Sequence, residues 1–308
     1  MNPHEALKDP WLLAVWPGMG GVAISSGYYL MAKLGMHLLV EFPAAEFFEP
    51  DHVEVRDGLI LRKRLPRSRL FLWNDPHQRH DLILFIGEAQ PTLRGGDFCR
   101  RLIARAQTLG VRRVFTFAAM ATEMRPVDGS RVFGAAADRD TLDEFRQLDV
   151  HPLENGSISG LNGVLLGLAA TAGLPGGCLL GEIPRVFAQI PFPKASLSVL
   201  EFFAVMAGID LDLSELRGHA ATVERTLEDF LARMEQAVES TGGAPREEGA
   251  AEEAPPRHGS PQDRKRIENL FERARQDRSR AYELKQELDR LGIFAEFEDR
   301  FLDLFKEP

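Results

Sequence analysis

Cysteine is nearly absent, with only Cys99 and Cys178 in 308 residues. That excludes a disulfide framework, and with no Cys–His cluster it leaves no structural zinc site. Basic charge is also in deficit. Lys and Arg number 37 against 46 Asp and Glu, a formal net charge of -9. Proteins that hold phosphate backbones usually carry the opposite balance, so no nucleic-acid partner is expected. Long apolar runs are missing too. Gly163 to Leu174 is the most apolar stretch, but it stops at Pro175, short of the roughly 20 residues a membrane span needs. Met1 to Asp9 has no cationic stretch ahead of an apolar core, so no secretory signal is read. The expectation is a cytoplasmic protein with no membrane partner.

What is present suits a buried core. Hydrophobic residues make up 44% of the chain and charged ones 27%, close to the globular average. Composition shifts near residue 240. Thr241 to Pro261 is largely Gly, Ala, Pro, Glu and Ser. Such a stretch cannot offset its ordering entropy and reads as a flexible linker. The expected organisation is an α/β core over 1–213, a helical extension over 214–240, a linker over 241–261 and a helical hairpin over 262–308.

The core alternates short apolar runs with amphipathic stretches. Strands are expected at Trp11–Trp16, His37–Phe42, Arg69–Trp73, Asp81–Gly87, Arg113–Ala118 and Cys178–Ile183. Helices are expected at Val22–Leu34, Phe98–Leu109, Leu161–Ala172 and Ala195–Ala207, with Asp138 capping a short one that ends at Leu148. Val53–Arg62 reads as a hairpin turning at Asp57-Gly58, a dipeptide suited to positive φ. This alternation implies a mostly parallel sheet with helices on both faces, a three-layer α/β/α fold.

In such a sheet ligands collect outside the carboxyl ends of the strands. Four loops fall there: Pro17–Gly21, Gly87–Thr92, Ala118–Arg125 and Asn155–Gly163. In the first, Gly18, Gly20 and Gly21 could present helix amides to an anion, or simply permit a tight turn. The loop has no Gly-Lys-Ser/Thr ending, which argues against a nucleoside triphosphate. Glu88 follows a very apolar strand, where desolvation suits an acid or base; the alternative is hydrogen bonding to neighbouring amides. Gln90 and Thr92 share its loop. Asn155, Ser157, Ser159 and Asn162 offer hydroxyls and amides ahead of a helix, for a phosphate or carboxylate or merely for capping. Ile158 stands where a Gly-x-Ser-x-Gly elbow needs Ser. His77 and His80 lie in a polar turn and lack metal-ligand spacing. No catalytic residue, metal or cofactor is assigned.

The order of the segments carries a resemblance. Trp16-Pro17-Gly18-Met19-Gly20-Gly21-Val22-Ala23 forms a Pro-Gly-x-Gly loop. Gly156-Ser157-Ile158-Ser159-Gly160-Leu161-Asn162-Gly163-Val164-Leu165-Leu166-Gly167 leads into a Gly-rich helix. Gly181-Glu182-Ile183-Pro184 and Pro191-Phe192-Pro193-Lys194-Ala195-Ser196-Leu197-Ser198-Val199-Leu200-Glu201 follow. Together, from about Trp11 to Leu213, they resemble the proteasome assembly chaperone two family. The resemblance implies a phosphorylase/hydrolase-type α/β/α fold and homo-oligomers. It also implies a non-catalytic, chaperone-like role with proteasome-like subunits as partners. Recognition in that family uses a C-terminal hydrophobic–Tyr–any tail, whereas this chain reads Leu304-Phe305-Lys306-Glu307-Pro308 with no penultimate Tyr. The alternative reading is a small-ligand binder or enzyme that uses the cleft at the strand ends.

Beyond the core, Leu213–Val238 reads as a helix with Val223, Leu227, Phe230, Leu231 and Met234 on one stripe. Gln262–Leu291 has a three–four apolar repeat interrupted by Asp277, and Gly292 then breaks the helix. Ile293–Phe305 carries Phe294, Phe297, Phe301 and Phe305 on a face that must be buried, against its own protomer or on a partner subunit.

Overall fold

A computed structural model describes residues 7–50, 53–56, 58–61, 64–241 and 260–306. Nearly all of the expected 241–261 linker, Asp57 of the hairpin turn and the terminal Glu307-Pro308 lie outside these residues. In chain order the elements are β1 (Trp11–Val15), α1 (Val22–Lys33), β2 (His37–Phe42), β3 (Glu54–Arg56), β4 (Leu59–Leu61), β5 (Ser68–Trp73), β6 (Leu82–Gly87), α2 (Gly95–Thr108), β7 (Arg113–Thr122), β8 (Val132–Ala136), α3 (Arg139–Gln147), β9 (His151–Pro152), α4 (Gly160–Thr171), β10 (Gly176–Pro184), α5 (Pro193–Ala207), α6 (Ser214–Thr241), α7 (Pro261–Gln276), α8 (Ala281–Arg290) and α9 (Phe294–Leu302).

Eight strands form one sheet in the order β2-β5-β6-β1-β7-β10-β8-β9; β3 and β4 form a separate ribbon. The central block β6-β1-β7-β10 is parallel throughout, with Trp11 opposite both Leu82 and Arg113. Strands β5 and β8 run antiparallel to it, so the sheet is mixed toward its edges. Alternation along each strand divides the core. Leu13, Val15, Leu84 and Ile86 face α1 and α5, while Leu12, Ala14, Ile83 and Phe85 face α2 and α4. Outside α1 lies a further layer, α7 to α9, whose Ile267, Phe271, Tyr282, Leu288 and Phe301 join the α1-side core, together with Phe305 in the turn after α9.

Three features depart from the expected pattern. Strand β7 continues to Thr122 because it pairs with β10 as far as Pro184, so the loop expected at Ala118–Arg125 begins only at Glu123. Strand β8 was not expected, since Gly134-Ala135-Ala136 offers little apolar contrast. The stretch from Gln262 to Leu291 is two helices. At Asp277 the backbone becomes extended (φ -144°, ψ 102°), and its carboxylate accepts from the Ser279 amide. A charged side chain on an apolar seam caps a turn at less cost than burial would impose. The expected hairpin is therefore a set of three helices.

Strand directions decide which loops meet. β2, β6, β1, β7 and β10 all end at one rim, and β5 and β8 start there. That rim carries Pro17–Gly21, the β3–β4 ribbon, 88–94, 123–131 and 185–192. The register holding it includes a close approach at Gly87, where a Cβ would sit 2.4 Å from the Trp16 ring, which is itself fully buried. Gly87→Ala is expected to lower stability by about 1–3 kcal/mol, as overpacking does, read as a lower urea midpoint with an unchanged m-value.

Candidate functional site

The glycine loop is already occupied by protein. Gly20 and Gly21 both take φ +60°, where a side chain would be strained. The Gly20 amide donates to Ala188 O (2.8 Å), Gly20 O accepts from the Phe192 amide (2.9 Å), and the Gly21 amide closes on Gly18 O (3.0 Å). The two Gly20 bonds fasten the 185–192 loop to the rim as a latch between β1 and β10, and the Gly21 bond closes the turn on itself.

Gln90 joins two of the other loops. Its Nε2 donates to Pro17 O (3.3 Å), and its Oε1 accepts from the Leu161 amide at the start of α4 (3.3 Å). Ser159 stands at the N-cap position but makes no side-chain cap bond. Asn162 Nδ2 donates to Phe117 O (3.0 Å), tying α4 to β7. Thr92 Oγ1 accepts from the Glu49 amide on the far side of its loop. Asn155 and Gly156 border a shallow groove of about 610 Å³ beside α4, lined chiefly by small side chains such as Ala135 to Ala137 and Ala170. Ser157 and Ser159 are exposed. The structure thus gathers Gly18, Gly20, Gly21, Gln90 and Asn162 around one seam. Glu88, Thr92 and the Asn155–Ser157 turn point elsewhere.

Glu88 faces the α1 side, by the same alternation that turns Ile86 there. Its carboxylate accepts from Arg64 (2.5 Å), Arg69 (2.8 Å) and the Arg67 amide (2.8 Å). Arg69 is buried and also donates to Asp299 of α9 (2.7 Å), which Arg64 and Arg67 reach as well. Burial alone would raise the Asp299 carboxyl, but the hydrogen bond from Arg69 and the nearby guanidinium charges hold it below the usual range. Next to it, Glu298 accepts from the Tyr28 hydroxyl at 2.7 Å. Burial, then the neighbouring Glu88 charge, push Glu298 up to about 7. The sequence concealed this cluster because 230 residues separate Arg69 from Asp299.

A second saturated carboxylate lies at the other end of the rim. Glu182 is 1% exposed. It accepts from Arg131 Nε (2.8 Å) and NH2 (2.6 Å) and from the Thr122 hydroxyl (2.7 Å). The hydrogen bond from Arg131 lowers its pKa. A single charge inside an otherwise apolar strand could have signalled such a partner from sequence alone. Both carboxylates are paired with cations of their own chain.

Beside exposed charges such as Glu123 and Arg185, the rim exposes large apolar side chains. Among the described residues, every exposed large apolar side chain except Val164 and Val205 stands there or just beyond it. Val53, Val55, Leu59 and Ile60 line the β3–β4 ribbon. Met19, Leu93, Val127, Val186 and Ile190 lie on the loops, and Phe230 and Met234 lie on α6.

A family profile described as the PAC2 family matches residues 12–231. The chain belongs to the PAC2 family. The chain is similar to the Methanocaldococcus jannaschii protein MJ1210, 24% identical over 250 residues that cover 78% of this chain and 90% of that protein. The fold is similar to Pyrococcus furiosus PbaB, described as an archaeal proteasome activator, with TM-score 0.62, 23% identity and coverage of 74% of this chain and 95% of that one. It is also similar to a Mycobacterium tuberculosis proteasome-assembly chaperone homologue, with TM-score 0.61, 22% identity and coverage of 71% and 94%. The PAC2 match ends at residue 231, before the tip of α6 and before α7 to α9.

On this PAC2 body the tail is held by aromatic and ionic contacts together. Tyr28 packs edge-on against Phe294 (5.3 Å) and Phe301 (5.6 Å), and Tyr29 against Tyr282 (4.6 Å). The pH response follows from Glu298. Its folded value of about 7 exceeds the ordinary 4.5, so its contribution is full below 4.5 and is lost as pH rises through 7. His37, His80 and His219, which burial holds below 6.5, contribute the opposite slope, because the unfolded chain still binds their protons there. The Glu298 contribution is therefore read as a difference: as pH rises from 4.5 through about 7, the urea midpoint of the parent is expected to fall relative to that of Glu298→Gln. An equal slope in both proteins would contradict the assignment.

Proposed function

We propose that this chain is a chaperone-like protein that binds other proteins through the apolar rim of its sheet. The observation that carries the reading is the rim itself. Its Gly20 and Gly21 amides and its Glu88 and Glu182 carboxylates are satisfied within the chain, while large apolar side chains face solvent. Surfaces of that kind mark protein–protein contact more often than catalysis. The descriptions of PbaB as a proteasome activator and of the mycobacterial protein as an assembly-chaperone homologue support subunits of a proteasome-type particle as the partner class. Phe305 is buried against Phe301 (5.8 Å) and Phe71 (6.5 Å), which supports the rim over the last turn of the tail as the docking element. A cytoplasmic setting belongs to the same proposal; no described helix is long and apolar enough to cross a membrane.

Self-association is part of the proposal. Helix α4 has no charged side chain, and its Val164, Gly167 and Ala170 are exposed. A helix that is apolar all round is normally covered. Native mass spectrometry is expected to show an oligomer that Val164→Lys disperses; an oligomer unchanged by that substitution would remove α4 from the interface.

The docking claim is tested by affinity capture from the native host. A stoichiometric protein partner is expected with the parent chain and with Val205→Asp, at the opposite end of the sheet. Its yield is expected to drop by about tenfold when Val186 and Ile190 are both changed to Asp. Full capture by that double variant, with a folded circular-dichroism spectrum, would contradict the rim as the docking surface.

A further inference from the structure

Helix α6 outruns the body it packs on. Leu216, Ala220 and Leu227 are buried, and Glu228 marks the rim, accepting from the Val127 amide and from Arg125 (both 3.1 Å). Phe230 still touches Phe187, with ring centroids 6.2 Å apart. From Ala232 to Gln236 every residue is exposed. Five successive exposed residues cover all sides of a helix, so no described residue lies beneath this stretch. Residues 232–241 therefore form an arm reaching about 15 Å beyond the body. The apolar stripe does not stop with the body. The spacing that seats Ala220, Val223 and Leu227 continues through Phe230 and Met234, each 51% exposed. A stripe that continues past its support is an unfilled half of a helix-packing surface.

Charge decides what can fill it. From Asp229 onward the helix carries Asp229, Glu235 and Glu239 against the single Arg233. The chain as a whole is at -9, so a second copy would bring like charge to the same place. We propose that the α6 arm is a docking helix for a protein partner whose receiving surface is an apolar groove edged with Lys and Arg. The inference deepens the rim reading and rests on it for the partner being a protein. Phe230 and Met234 are distinct from the residues changed in the capture experiment, so the two can fail separately.

The test uses the full chain and fluorescence anisotropy with two labelled amphipathic peptides of about two heptads, one with Leu on the seam and Lys elsewhere, the other with Glu in place of Lys. The Lys peptide is expected to bind about tenfold tighter at physiological ionic strength. Changing both Phe230 and Met234 to Ala is expected to remove that binding, while Val205→Ala leaves it intact. Changing Asp229, Glu235 and Glu239 to Lys is expected to reverse the preference. Lys-peptide binding that survives loss of Phe230 and Met234 would reduce the effect to the overall negative charge and overturn the proposal. A self-association in sedimentation that disappears in the Phe230→Ala, Met234→Ala chain would assign the arm to a second copy, and also overturn it.

Discussion

Parallel pairing of β1 between β6 and β7 is the constraint from which the rest of the molecule follows. Strand β1 is buried along its whole length, with neighbours on both sides that run its way. A strand so placed can leave the sheet only through loops at its two ends. Its exit, with the exits of β6, β7 and β10, builds one rim. Slippage by a single residue would turn Leu13 and Val15 toward α2 and α4, so packing on both faces fixes the register. The positions of Gly20, Gln90 and Glu182 follow from that register.

The rim's polar groups are spent on structure. Gly20 latches the loop after β10, Gln90 joins the β1 and α4 loops, and Glu88 and Glu182 neutralise arginines. The two buried carboxylates would be costly to leave unpaired. Removing one partner of these buried pairs strands the other, which explains why Arg69 contacts the body and the tail at once. Among what remains exposed are large aliphatic and aromatic side chains. Helices α7 to α9 cover the α1 face of the sheet with Tyr28, Tyr29 and Phe71 beneath them, and leave the rim open.

Much of this could be read from the sequence, and the gaps have physical reasons. The buried parallel strands stood out because strands covered on both faces are apolar at every position, as in Leu82 to Ile86. Asp138 was legible as a cap because capping is local. The buried phenylalanine face of α9 was legible because four such side chains at helical spacing cannot stay in water. Strand β8 was not, because Gly134, Ala135 and Ala136 are small enough to fit against Phe145 and carry no pattern. The roles of Glu88 and Gln90 were half legible. Their place at a strand end follows from topology, but the arginines that claim Glu88 come from the approach to β5 and its first residues, and Asp299 from the far end of the chain. Long-range ion pairs leave no spacing in a sequence.

The central claim is that partners meet this protein at the apolar rim. Its most direct measurement is photo-crosslinking in cells of the source organism, with a photoreactive residue placed singly at Met19, Val127, Leu93 and Val205. The account predicts that the three rim positions link to the same foreign polypeptide and that Val205, at the opposite end, does not. Links formed from Val205 alone, or rim positions that link only to further copies of this chain, would contradict it.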